Sequence, residues 1–63
     1  MLTANDIGNT VTIENERGAR YRGRLDALNG RNEAFITVTA INLGDRWERL
    51  KRPEIQKIKE RRK

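Results

Sequence analysis

Apolar and polar positions alternate with a period of two over most of this chain, in short stretches separated by turn residues, and that pattern predicts strands rather than helices. Thr10-Val11-Thr12-Ile13-Glu14 alternates cleanly and is rich in β-branched residues, so it reads as a first strand with Val11 and Ile13 inward. After Asn15-Glu16-Arg17, Gly18 supplies the positive φ that a tight turn needs. The second strand, from Ala19 to about Leu28, then places Tyr21, Gly23 and Leu25 on one face and Arg20, Arg22 and Arg24 on the other. Gly23 stands in mid-strand, where glycine costs stability and marks a bulge, a sharp bend or a close backbone approach. A short strand that must bend points to a small closed barrel.

Asn29-Gly30 predicts a type I′ hairpin turn. The third strand follows from Glu33 to about Asn42, and its stretch Ala34 to Ile41 is nearly continuous in apolar and β-branched residues, as in a strand covered on much of both faces. It belongs at the centre of the sheet. Asn42-Leu43-Gly44-Asp45 makes the next turn. Arg46 to Leu50 makes a fourth strand, with Trp47 and Arg49 on one face and Arg46, Glu48 and Leu50 on the other; the pattern alone leaves open which face is inside. From Pro53 onward the letters fit either a helix with Pro53 at its first position or a short 3₁₀ turn leading into a final strand at Gln56 to Lys59. At the amino end, Thr3 and Asp6 have capping spacing with Leu2 and Ile7 around them, and Gly8 limits the helix to one turn, which lays Leu2 and Ile7 over an open end of the barrel.

Composition sharpens this picture. A chain of 63 residues is one domain, expected to span residues 1–60 with a basic tail at 61–63; the run Glu60-Arg61-Arg62-Lys63 as a whole reads as a frayed end. So short a chain buries too little surface for easy stability, and with no cysteine there is no disulfide or thiolate metal site to compensate, so subunit assembly is expected. No apolar run approaches the roughly 20 residues that cross a bilayer, and the amino terminus has no signal-peptide pattern; a cytoplasmic protein is expected. The net charge of +5 favours a polyanionic partner. Its distribution is uneven: residues 1–45 carry five basic and six acidic side chains, whereas 46–63 carry nine and three.

Enzyme chemistry finds little to use. The chain has no histidine or cysteine to act as base, nucleophile or metal ligand, no phosphate-binding glycine loop, and no paired carboxylates. A non-enzymatic protein without cofactor or metal is expected. Arg20, Arg22 and Arg24 form the best binding constellation, since same-face residues lie about 6.5–7 Å apart along a strand and guanidinium forks suit phosphates. The competing reading is a solvated face, or cross-strand pairs with Glu14 or Glu16. Tyr21 and Phe35 read as core or subunit-contact residues, and Trp47 as core or interface rather than as a base-stacking platform.

With Val11 and Ile13 ahead of it, the stretch Gly18 to Leu25 completes a pattern V-x-I-x4-G-x2-Y-x-G-x-L. This pattern resembles the first half of the Sm signature of eukaryotic and archaeal Sm-like proteins. The resemblance implies a five-stranded, strongly bent antiparallel barrel of Sm-like or SH3-like type with a short N-terminal helical turn, and it favours the turn-then-strand reading of the carboxy-terminal segment. Gly18, Gly23, Tyr21 and Leu25 are then structural. The family binds RNA in the pore of a ring through two loops, which correspond here to Asn29-Gly30-Arg31-Asn32-Glu33 and Leu50-Lys51-Arg52-Pro53. Lys51 falls at the family's basic position, beside Arg52. Gly30 and Glu33 stand where the family carries Asp and Asn, which leaves Asn29, Arg31 and Asn32 as the loop's base-contacting candidates. The implied function is binding of nucleic acid, single-stranded RNA before DNA, by a homo-oligomeric ring. The alternative is a structural or adaptor barrel making protein contacts, for instance in a phage or mobile-element assembly.

Overall fold

The structure, a computed structural model, describes residues 2–60. A 3₁₀ turn at Ala4–Asp6 precedes four strands: β1 (Thr10–Glu14), β2 (Arg20–Leu28), β3 (Glu33–Asn42) and β4 (Trp47–Lys59). They form one antiparallel sheet in the order β1-β2-β3-β4. The all-β class follows directly from the period-two pattern. β3, richest in β-branched residues, pairs along both its edges, with β2 on one side and β4 on the other. Its burial is one-sided: Ala34, Ile36 and Val38 are sealed, while Phe35 and Thr37 on the other face are only half covered.

The core is small. Ile13, Leu25, Ala34, Ile36, Val38 and Ile58 are buried, with Leu2, Val11, Tyr21, Leu28 and Leu50 packed around them. Leu50 thereby settles the face of the first half of β4: Leu50 packs on the core, Trp47 and Arg49 alternate onto the outer face, and Glu48, although it shares Leu50's face, is exposed. Of the two places expected for Trp47, core or interface, the core is excluded within one chain, since the side chain is 39% exposed. Leu2 packs on the core as expected, but Ile7 is turned out to solvent. The 3₁₀ turn is held by the Thr3 amide donating to the Asp6 carboxylate at 2.9 Å.

Gly23 is where β2 bends. The pairing of β2 with β3 slips between Arg22 and Gly23, leaving Thr39 as an extra residue on β3, and again between Leu25 and Ala27, leaving Asp26 extra on β2. A Cβ on Gly23 would lie 1.8 Å from the Thr37 carbonyl oxygen and 2.7 Å from its carbon. Only glycine lets the two backbones come so close. The bulged residues are each anchored, Thr39 Oγ1 donating to the Arg22 carbonyl at 2.9 Å and Asp26 accepting from Thr37 Oγ1 and Arg24 Nε.

Where five strands were expected, the described residues show four. Gln56 to Lys59 is extended as foreseen, but it continues β4 rather than forming a separate strand, pairing Gln56 with Ile36 and Ile58 with Ala34. Between Val38↔Glu54 and Ala40↔Arg49 the register slips, so that the four residues Leu50 to Pro53 lie opposite Thr39 alone. The expected 3₁₀ turn is thus an extended excursion. Pro53 is tolerated there because β4 is an edge strand and its missing amide breaks no ladder.

The sheet curls until β1 and β4 touch, without a ladder joining them. Lys59 Nζ reaches Glu16 Oε1 across this seam at 3.1 Å. Glu60, expected to fray, is instead tied down: its amide donates to the Asn32 carbonyl at 2.8 Å and its carboxylate accepts from the Leu2 amide at 3.3 Å. The basic tail expected at 61–63 lies outside the described residues. No helix among the described residues is long and apolar enough to cross a membrane.

Candidate nucleic-acid interface

Directly paired residues on neighbouring strands share a face, so the register writes out the surface of the sheet. One outer row reads Thr12, Arg22, Ala40, Arg49; the next reads Glu14, Arg20, Asn42, Trp47. The three strand arginines therefore have different fates. Arg20 Nε approaches Glu14 at 3.5 Å and Arg24 Nε meets Asp26 at 2.9 Å, while Arg22 has no ion pair among the described residues. Arg20 makes the cross-strand pair expected with Glu14, Arg24 pairs with Asp26 of its own strand, and Arg22 is the member of the triple with no ion pair among the described residues.

The excursion in β4 gives Arg22 its company. By stepping out opposite Thr39, it sets Lys51 beside Arg22 and Arg49 around an open recess of about 550 Å³, floored by Thr39, Ala40 and Leu50. Arg49, Lys51 and Arg52 likewise have no ion pair among the described residues, and all are exposed. Adjacent strands lie about 4.8 Å apart, so Arg22 and Arg49 rise about 10 Å from each other with only the Ala40 methyl between them. Two long cations flanking so small a residue can converge on one anion. No acidic side chain lines the recess; of those on β4, Glu48 pairs with Arg46 at 3.5 Å and Glu54 accepts a hydrogen bond from Gln56 at 3.4 Å.

The other expected loop is built differently. Asn29 Oδ1 accepts from the Arg31 amide at 2.8 Å and the Glu33 amide at 3.3 Å, and its Nδ2 donates to the Glu33 carboxylate, so this side chain is spent on the turn. The type I′ expectation is corrected: positive φ falls on Asn32, at 62°, and not on Gly30. Arg31 is exposed, while Asn32 is half-buried with its carbonyl bonded to Glu60. Hydrogen bonds from Asn29 and Lys57 hold the Glu33 carboxyl below its ordinary pKa, so it stays anionic beside Arg31. Within one chain this loop and the Lys51-Arg52 excursion are not brought together. Asn32 adjoins the Glu33 end of β3, whereas the excursion faces Thr39, about 20 Å further along the strand.

Thr39 and Ala40 were missed as parts of a site, because nothing in a β-branched run announces a bulge. The only local hint was the clash of Pro53 with an uninterrupted strand. The described residues thus form a small antiparallel sheet protein whose outer face carries a carboxylate-free cationic recess. Comparison with family models, with curated proteins and with solved structures finds no match for the chain. The resemblance to Sm-like proteins accordingly rests on the residues quoted for it.

Proposed function

We propose that this chain is a non-enzymatic nucleic-acid-binding protein of Sm-like type, preferring RNA to DNA, and that it acts in the cytoplasm as a homo-oligomeric ring. The observation that carries this reading is the group Arg22, Arg49 and Lys51 around one recess with no carboxylate paired to any of them among the described residues. Structural arginines are neutralised by neighbours, as Arg20 and Arg24 are here; a set left unneutralised favours an external polyanion. In the proposed assembly the excursion divides β4 into the family's fourth and fifth strands, and the resemblance pairs strand four of one copy with strand five of the next. Assembly also offers a way for the Asn29–Asn32 loop of one copy to approach the Lys51-Arg52 pair of another.

The test is binding of short RNA and DNA oligonucleotides at several salt concentrations. Three phosphate contacts predict a slope of log affinity against log salt of about −2 for single strands. Replacing Arg22, Arg49 and Lys51 together by Ala should flatten that slope and lower affinity at least tenfold with an unchanged melting curve. A wild-type protein that binds no nucleic acid near physiological salt ends this reading in favour of the structural barrel, for which the solvent-facing Ile55, 74% exposed on β4, offers a protein contact.

A further inference from the structure

Resting on that nucleic-acid reading, we infer that Trp47 is a base-stacking residue that makes the recess select single-stranded over duplex polynucleotide. Trp47 and Arg49 are alternate residues of β4 on its outer face, about 6.5–7 Å apart, and their rows on the sheet are adjacent. The indole is 39% exposed. It therefore stands next to the Arg22–Arg49 pair with much of its surface in solvent, flanked across the strands by Asn42 and then Arg20. A cation pair fixes a phosphate but cannot tell single from double strand, because both carry the same backbone. An aromatic side chain one residue spacing from that phosphate can. An unpaired base is free to leave its neighbours and lie on the indole, whereas a base within a duplex is already stacked and paired.

The partner is committed by charge and shape together. Unneutralised arginines beside an exposed aromatic complement a chain that alternates anions with flat rings, and a single-stranded polynucleotide has that repeat. Asn42, between Arg20 and Trp47 in the row, has its Oδ1 tied to the Gly44 amide at 2.8 Å. Stacking itself is tolerant of base identity, since every base presents a π-face.

Trp47 is the chain's sole tryptophan, so its own emission reports the contact. The experiment titrates the full chain with a ten-nucleotide single-stranded RNA, the matching DNA, and the duplex form of each, following Trp emission and, in parallel, the anisotropy of a labelled oligonucleotide. Single strands should shift or quench Trp47 emission as they saturate binding. W47A should weaken single-strand affinity about five- to a hundredfold. It should leave duplex affinity within twofold and the salt slope unchanged, since no charge is removed. W47F, which keeps a ring, should recover most of the loss. Single-strand binding with Trp47 emission unmoved, or equal losses for single strand and duplex in W47A, overturns the stacking role while the nucleic-acid reading stands. Absence of any binding by the wild type overturns both. Preference for RNA or for DNA among the single strands identifies which natural polymer the same stack serves.

Discussion

At the scale of single residues, Gly23 and Asp26 show how one strand is made to bend. Gly23 is buried against the Thr37 backbone at a distance no Cβ can share. Gly23→Ala should therefore abolish the cooperative thermal transition or force β2 off β3. Gly30→Ala has nothing within 4 Å of the new methyl and no positive φ to maintain, and it should stay within about 0.5 kcal/mol of wild type in the same circular-dichroism melt. That Gly23 mattered was readable from its place inside an alternating strand; which atom it makes room for was not. Asp26 is the polar counterpart. Its hydrogen bond from Thr37, then that from Arg24, hold its carboxyl below the ordinary value, with the Arg24 charge adding to them. A carboxylate so depressed stabilises the fold above its unfolded pKa, near 3.9, and that contribution is lost as pH falls through the lower, folded value. Urea midpoints measured from about pH 5 down to about pH 2 should fall for wild type and fall less steeply for Asp26→Asn.

At the scale of elements, the three hairpins share a device. Each loop opens with an asparagine whose Oδ1 accepts from the amide two residues on: Asn15 from Arg17 at 2.9 Å, Asn29 from Arg31 at 2.8 Å and Asn42 from Gly44 at 2.8 Å. The first two loops are near copies. In both, the same Oδ1 also takes the amide four residues on, and the residue just before that amide is left-handed, Gly18 at φ 84° and Asn32 at φ 62°. Asn-Gly at 29–30 was read by its dipeptide, whereas the turn is decided by the side chain of Asn29 together with the tolerance of Asn32 for positive φ. Asn15→Ala should cost about 1–2 kcal/mol, because the Arg17 and Ala19 amides both lose their one acceptor, and Asn15→Asp, which keeps the acceptor, less than half of that in denaturant unfolding. Strand positions were legible for a related reason: alternation is local, and β1 and β3 stand where the pattern put them. Whether Arg46 to Leu50 and Gln56 to Lys59 are two strands or one depends on which neighbour each pairs with, and β3 is long enough to pair with both. That information lies in the partner strand, so the excursion, and the recess it forms with Arg22, could not be read from β4 alone.

At the scale of the whole molecule, six buried side chains form the core among the described residues, and their sheet ends in two unpaired edges that meet only at a seam. The two edges differ in charge. Glu14 and Glu16 lie at the end of β1 and in its following turn, while Lys57 and Lys59 lie on β4, and Lys59 already reaches Glu16 within the chain. The same complementarity can add to the pairing of the two halves of β4 between copies, which would hide that strand's free amides and carbonyls. At the middle of β4 the excursion and Pro53 break any such ladder, which confines pairing to the two ends of the strand and keeps the Arg22–Arg49–Lys51 recess uncovered. Assembly by this route makes stability depend on concentration, because dissociation accompanies unfolding. Sedimentation should give a mass above the 7.3 kDa of one chain at micromolar concentration, and the melting temperature should rise as the protein is concentrated. Raising salt should lower the assembled fraction together with nucleic-acid affinity, since Lys59 acts at the seam and Arg22, Arg49 and Lys51 at the recess. Lys59→Glu separates the two effects: it places like charges at the seam and should reduce the assembled mass, while a monomer that remains folded keeps its recess and its intrinsic binding. A folded 7.3 kDa monomer whose melting temperature ignores concentration would mean that the seam closes within the chain, and the ring would fall while the recess kept its own test.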